Sequence, residues 1–314
     1  MTSIRGKILK FVLGHTNNLN PAKIPHPIKK IKKFSKQFTN NKAPKGFILS
    51  KEETLGGTKF ERLIKKDAMK TGRVIYYLHG GAYISGLISF YRSFADDFYD
   101  ATGSELILLD YKCAPEYKYP TQLNEAIDLW KDLINRQGYK PENIIIGGDS
   151  AGGNLALALL LKLRDDKLPM PAAAFCMSPW ADMTASGESY FKNYSNDVMF
   201  GEKNKQINEE LREKFINSDI YCFIGDADRH DSYVSPVFGD YHDFPPMMFT
   251  VGGHEMLLSD TLSIVDNLKK NNIPVTLEIQ EGMFHTYAIY GAIMPEAADS
   301  FKKILEFIKL NLHI

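Results

Sequence analysis

One serine of this 314-residue chain lies where a nucleophile would be exposed. Ser150 follows an apolar run at 144–146 and two glycines, and an Ala/Leu-rich segment of high helix propensity comes after it. Gly148 and Gly152 complete the spacing G-x-S-x-G, which is typical of a sharp strand–turn–helix corner where only small residues fit on either side of the serine. The stretch lacks the glycine patterns of phosphate-binding loops. The sequence therefore predicts a nucleophilic serine.

A serine hydroxyl needs a base, and His285 is the best placed of the eight histidines. It stands just beyond the last predicted strand, whereas His15 and His26 lie in the segment before the first one. On a corner of this kind the partners follow the serine in the order carboxylate, then histidine. The carboxylate is then Glu255, three residues past a strand, or its rival Asp260 in the helix that follows. We expect Asp260 to cap that helix or to face solvent.

The negative charge that forms on an acyl oxygen needs backbone N–H donors. The strand at 73–78 runs into a glycine-rich turn, His79-Gly80-Gly81-Ala82-Tyr83, whose amides can point inward. Ala151 adds an N–H beside the nucleophile, at a helix N-terminus. The predicted oxyanion hole therefore comprises Gly80, Gly81, Ala82 and Ala151.

The elements that must position these residues alternate along the chain. Eight runs have strand character: residues 46–50, 60–64, 73–78, 105–110, 143–148, 172–178, 247–252 and 275–280. From the third run onward the connections are long enough for crossovers, which predicts a mostly parallel sheet covered by helices on both faces. A short loop joins the first two runs, so we expect an antiparallel edge there. An apolar stripe over 295–314 predicts a closing helix.

Two segments interrupt this alternation, residues 1–45 and about 183–220. Both read as helical, with a helix expected over 204–216. Insertions at the carboxyl ends of parallel strands lie over the ligand crevice. We therefore expect a catalytic domain over 46–314, with a cap formed by the N-terminal segment and the insertion.

Charge and cysteine usage exclude several classes of protein. The chain has 38 basic and 38 acidic side chains, which argues against nucleic acid as a partner, although residues 1–50 hold eleven Lys or Arg and no Asp or Glu. Three cysteines without C-x-x-C spacing fit a reducing compartment better than disulfides or zinc. The apolar stretch near the amino terminus is too short for a signal peptide. A cytoplasmic enzyme that uses neither metal nor cofactor is the expectation.

Four motifs together resemble one known family. HGGAY (79–83), DYKCAPEYKYP (110–120), GDSAGGN (148–154) and SPWADMT (178–184) are similar, in this order, to motifs of the hormone-sensitive-lipase-like branch of the α/β-hydrolase esterases. The resemblance covers roughly residues 70–290. It implies an eight-stranded sheet, a helical cap and hydrolysis of carboxylic esters. By position it implies Ser150 as nucleophile, His285 as base, and Gly81, Ala82 and Ala151 as oxyanion donors.

The sequence departs from the commonest family pattern at three positions. Ala82 replaces a glycine, which keeps the N–H and adds a methyl group beside the predicted acyl pocket. Glu255 stands where the family usually has aspartate, and Thr286 where it usually has glycine. His79 resembles the family's loop-holding histidine, which has a structural role.

Alternatives remain open for the N-terminal helix and for the activity. Ile28, Ile31, Phe34 and Phe38 share one helical face among lysines, which predicts a cap helix packed over the site. The alternative is a weak contact of this basic helix with an anionic membrane surface. The leading function is a serine carboxylesterase acting on small to medium acyl esters. The alternatives are a non-catalytic small-ligand receptor on the same scaffold and a hydrolase of amides or acetylated metabolites.

Overall fold

An eight-stranded sheet forms the centre of the computed structural model, which describes residues 2–16, 19–20 and 27–314. The strands are β1 Phe47–Glu53, β2 Lys59–Lys65, β3 Val74–Leu78, β4 Glu105–Leu109, β5 Ile144–Asp149, β6 Ala173–Met177, β7 Met247–Gly252 and β8 Val275–Gln280. Their order across the sheet is β1-β2-β4-β3-β5-β6-β7-β8. β2 is antiparallel to both β1 and β4, and the other pairs are parallel. The predicted mostly parallel sheet with an antiparallel edge is confirmed.

Helices cover both faces of the sheet. Those of the described residues are α1 Ile4–Thr16, α2 Pro27–Gln37, α3 Phe94–Thr102, α4 Thr121–Asn135, α5 Ala151–Asp165, α6 Glu188–Lys192, α7 Glu209–Ile216, α8 Leu258–Lys270 and α9 Pro295–Asn311. Tyr76 of β3 faces a core layer shared with α4, α5 and α8, and Tyr77 faces a second layer shared with α3 and α9. Successive strand side chains point to opposite faces. Because both faces are buried, the central strands are apolar throughout.

Two helical segments lie over the carboxyl ends of the strands. The first contains α1 and α2, and the second runs from β6 to β7 and contains α6 and α7. α2 contacts a 3-10 turn of the second segment, Asp219–Ile224. Residues 17–18 and 21–26 of the predicted cap, with His26, lie outside the described residues.

Two predicted helix boundaries are wrong. The helix expected over 204–216 begins only at Glu209, because the side chain of Asn208 accepts the Leu211 N–H at 2.9 Å and caps the helix there. The closing helix ends at Asn311 instead of 314. None of the described helices is both long and apolar enough to cross a bilayer.

Candidate active site

Ser150 occupies the corner between β5 and α5. Its backbone has φ 52° and ψ −119°, a conformation that a residue with a side chain adopts only at a cost. A Cβ atom at Gly148 would overlap with the carbonyl of Gly152, and one at Gly152 would overlap with the carbonyl of Leu78. Helix α5 therefore approaches β3 and β5 too closely for any larger residue. The strand, the turn and the glycines are arranged as the spacing predicts.

The structure brings Ser150, His285 and Glu255 into one hydrogen-bonded row. His285 Nε2 lies 2.8 Å from Ser150 Oγ, and His285 Nδ1 lies 2.8 Å from Glu255 Oε2. Glu255 and His285 are both buried. A buried carboxylate on Nδ1 holds a proton there and leaves Nε2 as the acceptor facing the hydroxyl.

A second serine, Ser178, holds the acid and the histidine loop. Its hydroxyl donates to Glu255 Oε1 at 2.6 Å and accepts the Thr286 N–H at 3.0 Å. The Gly252 N–H also donates to Glu255 Oε1. Thr286 has φ 55°, in the left-handed region that favours the glycine usual in the family. Ser178 directly follows β6 within the motif SPWADMT, and that motif was the only signal in the sequence that pointed to it.

Asp260 is neither exposed nor a helix cap, and that prediction is wrong. Its side chain is buried and accepts the N–H groups of Ala181 (2.8 Å) and Asp182 (2.9 Å) from the segment after β6. The Tyr190 hydroxyl lies 3.2 Å from the same oxygen. Burial, and then the charge of Asp182, raise the pKa of Asp260 well above its usual range. Asp260 thus holds the start of the insertion, and of the two candidate acids the structure places only Glu255 in contact with His285.

The backbone around Ser150 offers three free N–H groups. Those of Gly81, Ala82 and Ala151 donate to no other group among the described residues. Gly81 has φ 115° and Ala82 φ 55°, so the turn that carries them is strained. Three of the four predicted oxyanion residues, Gly80, Gly81 and Ala82, belong to this turn, and Ala151 begins α5. The three free donors fit an anion-binding role.

Gly80 is the exception, because its N–H is already used. It donates to Asp149 Oδ1 and to the Tyr91 hydroxyl, both at 3.0 Å. The prediction that Gly80 is an oxyanion donor is therefore wrong. The buried carboxylate of Asp149 also accepts the hydroxyls of Tyr77 (2.9 Å) and Tyr91 (3.1 Å). Burial raises its pKa to about 6.

Two further motif residues fix the turn from outside. The His79 ring stacks on Tyr111 with centroids 4.1 Å apart, and burial lowers the pKa of His79 to about 4, so the ring is neutral at neutral pH. Asn154 accepts the Tyr83 hydroxyl at 2.6 Å and donates to the carbonyl of Trp180 at 2.9 Å. Asn154 therefore joins α5 to the turn and to the segment after β6.

A cavity of about 480 Å³ opens over the Ser150 hydroxyl. Its walls are mostly apolar and aromatic. Helix α2 contributes Ile31 and Phe34, and Phe38 follows directly after the helix. From the second segment Phe200 places its ring 5.1 Å from the His285 ring. An apolar cavity with a few polar groups at one point is typical of a small-molecule site.

Helix α1 supports the loops of Glu255 and His285. Lys10 Nζ lies 2.6 Å from His254 Nδ1 and donates to the Gly282 carbonyl at 3.2 Å. Burial lowers the pKa of both Lys10 and His254. His254 directly precedes Glu255, and Gly282 lies in the loop that leads to His285, so one ammonium group joins α1 to both.

The described residues contain no group of three or more His, Cys, Asp or Glu side chains that could hold a metal ion.

The sequence profile of the α/β-hydrolase fold matches residues 75–289, more than half of the chain. The chain belongs to the α/β-hydrolase family.

Individual proteins place this α/β-hydrolase on one branch of the family. An esterase of Acinetobacter venetianus is 33% identical over 253 residues, which are 81% of this chain and 79% of that protein. The crystal structure of an esterase/lipase from an uncultured bacterium has a TM-score of 0.85 at 29% identity, covering 99% and 100% of the two chains. An esterase of the bacterial hormone-sensitive lipase family has a TM-score of 0.82 at 26% identity, covering 99% of each chain. The predicted fold, the hormone-sensitive-lipase-like branch and the class of carboxylic ester hydrolase are confirmed.

Proposed function

We propose that this α/β-hydrolase is a serine carboxylesterase acting on small to medium acyl esters through an acyl-enzyme. One observation carries the proposal. The hydrogen-bonded row of Ser150, His285 and Glu255 opens onto an apolar cavity, beside the free N–H groups of Gly81 and Ala82. A non-catalytic receptor has no use for such an alignment.

In the first half of the proposed reaction, Ser150 Oγ attacks the ester carbonyl carbon while His285 Nε2 takes the hydroxyl proton. The carbonyl oxygen becomes an oxyanion, which accepts the N–H groups of Gly81, Ala82 and Ala151. Each such donor contributes about 3 kcal/mol to transition-state stabilisation. Glu255 stabilises the imidazolium through Nδ1–H. The C–O bond to the alcohol then breaks as His285 returns its proton to the leaving oxygen.

The second half repeats these steps with water. His285 Nε2 takes a proton from a water molecule, whose oxygen attacks the acyl carbon on Ser150. The oxyanion forms again on the same three donors. The bond to Ser150 Oγ breaks as the proton passes to that oxygen, which releases the carboxylic acid and restores the hydroxyl. Every proton and electron pair comes from the chain, the ester or water, so the proposal needs no cofactor.

The size of the cavity supports the proposed substrate range. About 480 Å³ accommodates a small or medium acyl ester with its alcohol group. The methyl group of Ala82 lies at the turn where the acyl carbonyl would bind, so shorter acyl chains should fit best there. We propose that residues 1–45 and 183–220 act as the cap that closes this cavity over the ester.

The test compares three forms of the purified protein on p-nitrophenyl esters from acetyl to dodecanoyl. Ser150→Ala should lower kcat/KM by at least about 10⁴. Ser50→Ala, on the edge strand β1, is the matched control and should keep wild-type activity. An organophosphonate should label wild type and the Ser50 variant at Ser150 only. Residual wild-type activity in Ser150→Ala, or labelling at another serine, would overturn the assignment.

A further inference from the structure

Helix α1 presents an apolar stripe to solvent. Ile4, Ile8 and Phe11 are 77%, 58% and 67% exposed, and their spacing of four and three residues puts them on one face. On the opposite face Leu13 is buried in the core, and Gly6 packs against Glu296 of α9. The helix is therefore apolar on two sides, and among the described residues only the side of Leu13 has a packing partner.

Positive charge flanks the stripe. Arg5 and Lys7 lie on opposite sides of it, since they are about 100° and −60° from Ile4 around the helix axis. Both are exposed, and α1 contains no acidic residue. The first fifty residues carry eleven basic side chains and no acidic ones, whereas the rest of the chain has an excess of acidic residues. An apolar stripe with a cationic border is the pattern of a helix that lies in the plane of an anionic lipid surface.

The C-terminal end of α1 lies close to the cavity. α1 ends at Thr16, and Leu19, three residues later, lines the cavity. Three residues span at most about 11 Å. Phe34 of α2 (39% exposed) and Phe38, directly after the helix (47% exposed), reach both solvent and the cavity, and Lys33 lines the cavity with them. Both helices thus combine exposed apolar side chains with cations, and those of α2 lie at the wall of the cavity.

We propose that α1 and α2 dock this protein on an anionic lipid surface, so that the cavity receives esters carried in that surface. This inference rests on the proposed esterase function and names the source of its substrate. A second copy of the chain is the less suitable occupant. A two-fold contact through the stripe would bring Arg5 and Lys7 of both copies together, whereas anionic headgroups complement them.

The experiment measures co-sedimentation with vesicles of phosphatidylglycerol and phosphatidylcholine in equal parts. The wild-type protein should sediment with them, and binding should weaken as salt is added. The double variant Ile8→Ser/Phe11→Ser should lower the partition coefficient by about tenfold or more, because both side chains lose their apolar contact with lipid. Arg5→Gln and Lys7→Gln should each lower it by about fivefold. Leu310→Ser, at an exposed position of α9, is the matched control and should bind as wild type does.

Hydrolysis adds a second measurement. For an ester embedded in the vesicles, kcat/KM should fall with binding in the stripe variant. For a water-soluble ester without vesicles it should not change, because Ile8 and Phe11 are exposed and lie outside the cavity lining.

The proposal would be overturned if the wild-type protein stayed in the supernatant, or if the stripe variant bound vesicles as the wild type does. It would also be overturned if the wild type were a dimer that does not bind vesicles and the stripe variant were a monomer. If the wild type did not hydrolyse the soluble ester at all, the result would instead contradict the proposed esterase function.

Discussion

Glu255 and Asp260 are five residues apart in the chain and have different partners in the fold. Glu255 accepts from His285 and Ser178, whereas Asp260 accepts backbone N–H groups after β6. Both side chains are buried, so burial alone would not tell them apart. Their partners separate a role at the histidine from a role in holding the insertion.

We predict that Glu255→Gln lowers kcat by about 10²–10⁴ with little change in KM, because the amide favours the wrong His285 tautomer and cannot stabilise the imidazolium. Asp260→Asn is the matched control. Its amide oxygen can still accept the Ala181 and Asp182 N–H groups, so kcat should stay within about tenfold of wild type. Steady-state kinetics with one soluble ester decides between them. A collapse of the Asp260 variant beside a fully active Glu255 variant would reverse the two roles.

The sequence predicts which side chains meet at this site better than it predicts the hydrogen bonds that hold the surrounding loops. Chain order and the strand ends are enough to predict that Ser150 and His285 meet and that the acid is Glu255 or Asp260, but the contact of Glu255 with His285 is seen only in the fold. The burial of Asp260 could not be predicted, because its donors lie near residue 181, far away in the chain. It could not be predicted either that the Gly80 N–H is already used, because its acceptor Asp149 lies on a different strand. Such contacts depend on tertiary distances that no local pattern encodes.

At the level of elements, the contact between β5 and α5 sets the nucleophile corner. The helix begins directly after Ser150 and lies so close to the strands that the glycine positions admit no side chain. The strands themselves were predictable because β-branched and apolar runs alternate with helical segments. The start of α7 was not, because a capping interaction of Asn208 overrides the helical pattern of the residues before it.

We predict that Gly148→Ala costs about 3 kcal/mol of unfolding free energy, since its methyl group would overlap with the Gly152 carbonyl and force α5 away from β5. Activity should fall with it, because Ser150 would shift relative to His285. Gly14→Ala in α1 is the control. Its methyl group would meet Val198 Cβ at 3.4 Å, an ordinary contact, and should add about 0.5–1 kcal/mol of stability. Urea unfolding of both variants provides the comparison. Equal stabilities would refute the steric argument.

On the scale of the whole molecule, the buried carboxyl group of Asp149 links stability to pH. Its pKa in the folded protein is about 6, above the value of about 4 in an unfolded chain. The folded state therefore holds the proton more tightly. The stabilising contribution is fully present below about pH 4 and is lost as the pH rises through about 6.

We predict that wild type loses about 2–3 kcal/mol of unfolding free energy relative to Asp149→Asn between about pH 4 and pH 7. The asparagine variant has no proton to release at this position, so its stability lacks this contribution. Urea unfolding at a series of pH values measures the difference. Asp299→Asn, an exposed position on α9, should follow the wild-type curve. Parallel curves for wild type and Asp149→Asn would contradict the prediction.

The contact between Lys10 and the loops of Glu255 and His285 bears on how the chain folds. Lys10 is separated from His254 by 244 positions and from Gly282 by 272, and Ser3 reaches Glu296 over 293. Contacts of such high sequence separation form late, because the loops that they close are entropically costly. During synthesis α1 emerges long before its partners, so the face that carries Leu13 lacks its packing partners until the C-terminal part of the chain, including α9, has been made. Helix α1 is thus made before its partners, and the loops of Glu255 and His285 gain the contact with Lys10 only once both of them have been made and have folded against the helix.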